Sequence, residues 1–352
     1  MIYLAGTSVC NPVEETSMQQ LFKQGHKLHS YYHLFNLEKT WFEMNKQNKV
    51  NLFLDSGAFS AWTQGVEIDI QEYIEFIKEH EEVIEVYANL DVISTGKTGN
   101  KKSAELTLKN QRIMEEQGLN PLPVFHYGEP LEYLQKYIDE YEYLSLGGMV
   151  PISNSQLIPW LDNLWGEYLT DKKGMPKVKV HGFGLTSLKM MMRYPWYSVD
   201  STSWVVTGRL GSIYVPRYRQ GQWIYDENSW KVPVSSRSPG VEDDKNHIDN
   251  LKPKVKKIIL DYIHDKGYKL GKSEFKKVDP EHELKENERW AQVKKDVAKG
   301  EKRLLEIIVE PGISNKYQLR DEMNIIYFLD LEDSMPQWPC KFEKQNTMKS
   351  LF

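Results

Sequence analysis

At 352 residues, with 40% hydrophobic and 12% aromatic side chains, the chain can bury either one large α/β domain with an appendage or two average domains, and wholesale disorder is excluded. No apolar run approaches the roughly 18 residues of a membrane span, and the opening "MIYLAGTSVCNPVEE" has no basic leader ahead of a long apolar stretch, so neither a span nor a secretion signal is expected. Two cysteines, Cys10 and Cys340, point to a reducing, cytoplasmic setting and exclude a zinc site built from three or four thiolates.

In chain order, short apolar runs occur at 1–6, 50–56, 85–91, 121–128, 143–149, 177–184, 197–202 and 212–216. Helical patterns lie between several of them. Ile70, Tyr73, Ile74 and Ile77 share one face, as do Leu131, Leu134, Ile138 and Tyr141. Residues 14–48 read as a long helical opening, on which His26, His29 and His33 would share a face; no acid or cysteine pairs with them, so no metal site is expected. Strands alternating with helices imply parallel pairing through right-handed crossovers, and eight such strands favour a closed (β/α)8 TIM barrel.

From about residue 226 the character changes. The polar, turn-rich "SSRSPGVEDDKN" reads as a junction, giving a catalytic barrel over 1–235 and a charged, mostly helical C-terminal region over 236–352, partly packed on the barrel. Residues 266–303 are so polar that a protruding helix or a mobile insertion is expected. "KYQLRDEMNIIYFLDLED" reads as a final helix returning to the body.

Net charge is −5 overall, but residues 170–220 carry nine basic and two acidic side chains, +7 locally against −12 elsewhere. Such a segment can dock a polyanion or be an ordinary solvated face.

Polar and glycine residues follow the apolar runs repeatedly: Asp55-Ser56-Gly57, Asn89-Leu90-Asp91, His126-Tyr127-Gly128, Gly147-Gly148, His181-Gly182-Phe183-Gly184 and Asp200-Ser201-Thr202. In a barrel all of these meet at one rim, where a lone aspartate would pass for a cap but three acids with glycine pairs suggest a site. "LDSGAF" resembles the Asp-Ser-Gly-Gly-Phe motif of the tRNA-guanine transglycosylases. "LGGM" is similar to their Gly-Gly-Leu loop, "HGFGLTS" to their Gly-Val-Gly-Thr segment, "ANLD" to the strand ending in the base-reading acid, and "YSVDSTSW" falls at the place of their nucleophile motif. The ordered set spans roughly residues 50–220.

The resemblance implies a pentosyltransferase that exchanges guanine in a nucleic acid for a 7-deazaguanine base through a covalent aspartate–sugar intermediate. It makes Asp200 the nucleophile and Asp55 an acid/base or base-holding group. Asp91, His126, Tyr127, Gly147, Gly148, Met149, Ser56, Gly57 and Phe59 would surround the base. Lys177, Lys179, Arg209, Arg217, Arg219 and Trp204 are the candidate nucleic-acid contacts, and "TGRLGS" (207–212) a candidate phosphate turn. The family's Cys-x-Cys-x-x-Cys…His zinc element is absent, so no cofactor is expected. His126-Tyr127-Gly128 stands where the family has Val-Gln-Gly. These departures place the chain nearest the phage and bacterial enzymes that act on DNA. Base exchange in tRNA, N-glycoside hydrolysis, and a catalytically silent nucleic-acid-binding scaffold remain the alternatives.

Overall fold

A computed structural model describes residues 1–6, 26–34, 42–43, 46–47, 50, 52–93, 99–150, 152–185, 187–237, 245–292, 297–298 and 300–344. The chain forms two units, one of residues 1–202 with 332–352 and one of residues 203–331. The junction read from the sequence near residue 235 thus lies inside the second unit.

The first unit is built on eight parallel strands: β1 (Ile2–Ala5), β2 (His26–Ser30), β3 (Leu52–Asp55), β4 (Ile84–Tyr87), β5 (Val124–His126), β6 (Tyr143–Gly147), β7 (Lys179–Gly182) and β8 (Ser198–Ser201). Their order is β4-β3-β2-β1-β8-β7-β6-β5, a curled, barrel-like sheet. Beyond the two edge strands, Ala88 and Leu122 form a parallel bridge. There the Asn89 N–H donates to Leu122 O (2.9 Å) and the Leu122 N–H to Tyr87 O (2.8 Å).

Helices alternate with these strands: α1 (Tyr31–Leu34), α2 (Ala58–Thr63), α3 (Ile70–Glu79), α4 (Gly99–Glu116), α5 (Leu131–Glu140), α6 (Asn154–Asn163) and α7 (Leu188–Arg193). Helix α3 starts where the Asp69 carboxylate accepts the Gln71 and Glu72 N–H groups, satisfying two donors that the first turn leaves free. Its Tyr73, Ile74 and Ile77 pack with Leu52, Leu54 and Met114 on one face of the sheet. On the other face Tyr3, Ala5, Leu28, Phe53 and Val124 form a separate cluster. Alternation along β3 therefore sends Leu52 and Leu54 one way and Phe53 the other.

Seven of the eight apolar runs are strands of this sheet; the run at 212–216 is not. Its place is taken by β2, in the stretch read as helix, much of which lies outside the described residues. "HKLHS" escapes a search for apolar runs because Lys27 and His29 are polar yet buried. Being in a strand, His26 and His29 cannot share a helical face with His33, which lies on α1.

The second unit holds α8 (Ser203–Arg209), then β9 (Ser212–Val215), the hairpin β10 (Arg217–Arg219) with β11 (Gln222–Ile224), and β12 (Trp230–Pro233), which pairs antiparallel with β9. After α9 (Pro253–Asp265) comes an antiparallel sheet of β13 (Lys272–Val278), β14 (Glu288–Trp290) and β15 (Arg303–Glu310), with β15 central. The protruding helix or mobile insertion expected over 266–303 is therefore a sheet, and the C-terminal region is not mostly helical. Residues of β13 are half-buried or exposed throughout, which removes the two-residue alternation that marks a strand. The ladder to β15, whose Leu305, Glu306 and Ile308 are buried, supplies what the side-chain pattern lacks.

Helix α10 (Tyr317–Ser334) closes the unit as expected, with Arg320 to Ile325 all buried. Asn324 there accepts the Tyr214 N–H and donates to Trp204 O.

Candidate functional site

Parallel strands end at one edge of their sheet, and the residues singled out above lie there. Asp55 closes β3, His126 closes β5, Gly147 closes β6, Asp200 is the third residue of β8, and Asp91 follows β4. Register puts His126 beside Gly147, and Asp55 beside Ser30. Beneath them the sheet is filled by aromatic rings: Phe53 lies 5.1 Å from Tyr3 and 4.6 Å from the His181 imidazole, centroid to centroid.

Asp91 is held from two sides. Its Oδ1 accepts the Ser56 hydroxyl (2.7 Å), and its Oδ2 lies 2.8 Å from His126 Nε2. The other ring nitrogen, Nδ1, lies 3.2 Å from Glu129 Oε1, while Glu129 Oε2 accepts the His126 backbone N–H (2.9 Å). Burial disfavours the imidazolium, but the hydrogen bonds and charges of Asp91 and Glu129 outweigh it and push His126 up to about 10. Burial likewise opposes ionisation of Asp91, yet His126 and Ser56 hold its carboxyl below the ordinary range. With both ring nitrogens committed, His126 has no N–H left for a ligand. Asp91 retains one lone pair on each oxygen.

Asp55 has the opposite electrostatics. Burial, then the charges of Asp91 and Asp200, push its carboxyl up to about 7; the Gly57 N–H opposes this in part. Two carboxylates thus act on a third at one end of the sheet, and that third is poised to hold or release a proton near neutrality.

Asp200 is buried, and its Oδ1 accepts the Gly184 N–H at 2.7 Å. Its Oδ2 has no hydrogen-bond partner among the described residues. His181 Nε2 stands 3.4 Å from Oδ1. That imidazole is fully buried, with Nδ1 2.7 Å from Ser198 Oγ, and burial lowers its proton affinity although Asp200 opposes the effect. A neutral His181 adds no full charge beneath the carboxylate.

The glycines have identifiable reasons. Gly57 has φ +80°, and a Cβ there would stand 2.5 Å from Ser30 Oγ and 2.6 Å from Tyr32 Cβ. At Gly147 a Cβ would meet the His126 ring at 3.0 Å. These residues let two strand ends close tightly around Asp91 and His126. Tyr127 packs edge-on against Trp160, and Met149 is buried; Phe59 and Gly148 are exposed beside the strand ends.

No protein-family model and no curated protein matches the chain.

The candidate nucleic-acid contacts fall in both units. Lys177 and Lys179 lie at the start of β7, the opposite end of the strands from the carboxylates. They line a cleft of about 430 Å³ shared with Asp139, Glu140 and Glu142. Arg193, counted in the basic segment, is tied to buried Asp162 through Nε (3.0 Å) and Nη2 (2.7 Å).

Within the second unit, Arg217 donates to Asn228 O and lies over the Trp230 ring, and Arg219 pairs with Glu227. Arg209 is exposed at the end of α8. Trp204 is fully buried and cannot stack on a base. "TGRLGS" is no phosphate turn: Gly208 packs against Asp321, and its carbonyl accepts the Arg320 Nε–H (2.7 Å). Linear charge misleads here because it ignores which cations are already paired.

Among the described residues no group of three or more His, Cys, Asp or Glu has the geometry to hold a metal ion. Sequence reasoning missed Glu129. Its position three residues after a strand-end histidine, in a turn, was the available signal.

Proposed function

We propose that the chain is a transglycosylase that exchanges guanine in a nucleic acid, DNA in the first instance, for a 7-deazaguanine base. The observation carrying this reading is the meeting of Asp55, Asp91 and Asp200 at one end of a parallel sheet, with Asp55 raised to about 7 by the other two and by burial. We also propose that the sheet is a closed (β/α)8 barrel, for which the bridge between Ala88 and Leu122 speaks.

The chemistry follows from the environments. Oδ2 of Asp200, free of hydrogen bonds among the described residues, attacks C1′ of the target nucleotide. The C1′–N9 bond breaks as Asp55, in its protonated form, delivers a proton to the departing base. The incoming base then loses a proton to the Asp55 carboxylate, attacks C1′ and displaces Asp200, which restores both carboxyl groups. Asp91, ionised and oriented by His126 and Ser56, accepts the N1–H and N2–H donors of the guanine edge. Reaching C1′ in a polymer requires the nucleotide to leave its stack, at a cost on the order of a few kcal/mol.

The experiment is covalent trapping on a guanine-containing oligonucleotide, with Asp200→Asn as the comparison. Wild-type protein forms a denaturation-resistant adduct and incorporates labelled 7-deazaguanine, whereas Asp200→Asn does neither. An adduct retained by Asp200→Asn overturns the assignment. Abasic sites without label uptake would favour hydrolysis. Nucleoside mass spectrometry of DNA and tRNA from cells expressing the chain separates the two polymers.

A further inference from the structure

In the second unit, Arg237 and Arg289, far apart in the sequence, meet at one buried carboxylate. Glu306, on β15, has no solvent exposure and accepts the Arg289 Nε–H at 2.7 Å; Arg237 Nε lies 3.4 Å away. Ser236 Oγ donates to the other oxygen of Glu306 (2.7 Å) and also approaches Ser314 O. Arg320 Nη1 reaches that same carbonyl, at 3.4 Å, while its Nε and Nη1 are held by Gly208 O and Ile313 O. Arg237 Nη1 lies 3.3 Å from Trp290 O, and the Arg303 guanidinium lies 4.2 Å over the Trp290 ring.

One carboxylate cannot neutralise this group. Burial first, then Arg289, holds the Arg237 guanidinium below its ordinary range. Arg320 is pushed down to about 10, by burial and by Arg289 and Arg237, with Asp321 opposing. Ordinary ion pairs shift arginine the other way, as Arg193 beside Asp162 does. The arrangement is short of anions. It is also reachable, since the Arg237 and Arg289 side chains are 40% and 27% exposed. Glu306 fixes the Nε edge of Arg289, and no described residue accepts from its terminal amino groups. A guanidinium held by one edge presents the other as a fork suited to a tetrahedral oxyanion.

We propose that Arg237 and Arg289, braced by Glu306, form a phosphate-binding site that holds the phosphodiester backbone of a nucleic-acid strand. The oxyanion preference stands without the base-exchange reading; the choice of a phosphodiester as its source rests on it. Arg217 and Arg219, singled out by the sequence, already have partners. These two do not.

The test uses the full chain. Arginine Nε–H resonances of Arg237 and Arg289 are followed during titration with inorganic phosphate, and a fluorescein-labelled single-stranded oligonucleotide is bound over a series of salt concentrations. Arg289→Gln strips Glu306 of its nearest cation and endangers folding, so Arg237→Gln carries the test, with Lys257→Gln, an exposed lysine of the same unit paired with Asp261, as the control. Saturable Nε shifts are expected with phosphate. Arg237→Gln should weaken oligonucleotide binding roughly 3- to 10-fold and lower the log–log salt slope by about 0.7, while Lys257→Gln leaves both unchanged. Absence of phosphate shifts overturns the site. Phosphate shifts together with unaltered oligonucleotide binding in Arg237→Gln overturn the assignment to a strand. Neither result touches Asp200, whose adduct is read separately.

Discussion

His126 Nε2 lies 2.8 Å from Asp91 Oδ2, and the far side of the same ring is backed by Glu129. A histidine between two buried carboxylates is a cation that fixes a neighbour, not a donor waiting for a ligand. Replacing Glu129 by Gln removes one of the two charges that keep the ring protonated. The His126 pKa, followed by NMR, should fall by at least one unit in Glu129→Gln. A titration superimposable on wild type would mean that Glu129 does not hold the proton.

The same pair predicts a pH dependence of stability. The folded-state value of His126, about 10, lies above the ordinary 6.5, so its contribution is complete below about pH 6.5 and is lost as pH rises through 10. His126→Ala leaves Asp91 buried beside Ser56 alone and should cost about 3 kcal/mol at neutral pH. The penalty should shrink steadily above about pH 6.5 and level off near pH 10. Urea melts of both proteins across that range measure it.

In the proposed base exchange, Asp55 must be protonated for the departing base to leave. With its carboxyl raised to about 7, the rate of adduct formation with Asp200 should fall above about pH 7 as Asp55 ionises. Asp55→Asn should slow adduct formation about 10²- to 10⁴-fold and remove that limb. Single-turnover trapping at several pH values reads both. An unchanged limb in Asp55→Asn would assign the proton elsewhere.

Gly57 turns the chain from β3 into α2 with φ +80° against Ser30 and Tyr32. Gly57→Ala combines a left-handed alanine with a backbone contact at 2.9 Å from Tyr32 N, and should cost about 2 kcal/mol or more. Gly65, also left-handed but with nothing within 4 Å of its would-be Cβ, is the control: Gly65→Ala should cost about 1–2 kcal/mol, from strain alone. Thermal melts compare the two.

Asp321 in the second unit is 1% exposed, and neither of its oxygens has a hydrogen-bond partner among the described residues. Burial raises its carboxyl to about 7, with Arg209 and Arg320 opposing. A raised carboxyl stabilises the fold at low pH, and that contribution disappears as pH climbs from about 4 through 7. Asp321→Asn removes the dependence. Its stability relative to wild type should rise by about 2 kcal/mol between about pH 4 and pH 8, measured by denaturant titration at each pH.

How much of this was legible in the sequence differs by element. Strands whose apolar residues are buried on both faces, such as Leu52-Phe53-Leu54, were read directly, and with them the strand-end positions of Asp55, Asp200 and Asp91. Strand β2 was not, because Lys27 and His29 are buried polar residues whose environment exists only once the sheet forms. Strands β13 to β15 were hidden for the converse reason: β13 carries no buried stripe, and the ladder to β15 holds it in place. The basic segment shows what linear charge leaves out, because charge in sequence says nothing of pairing. Arg193 spends its charge on Asp162, whereas Arg237 and Arg289, far apart in the chain, share one Glu306.

The bridge between Ala88 and Leu122 is a single thin link beyond the two edge strands, and it falls between the two sides of the Asp91–His126 pair. Asp91 comes three residues after Ala88, and His126 four after Leu122. The ion pair therefore works as a clasp over that joint. Any breathing that parts Ala88 from Leu122 pulls Asp91 away from the proton that keeps it aligned. Amide exchange at Asn89 and Leu122 should accordingly quicken whenever the clasp is cut, which makes those two backbone protons local reporters of whether Asp91 and His126 are paired.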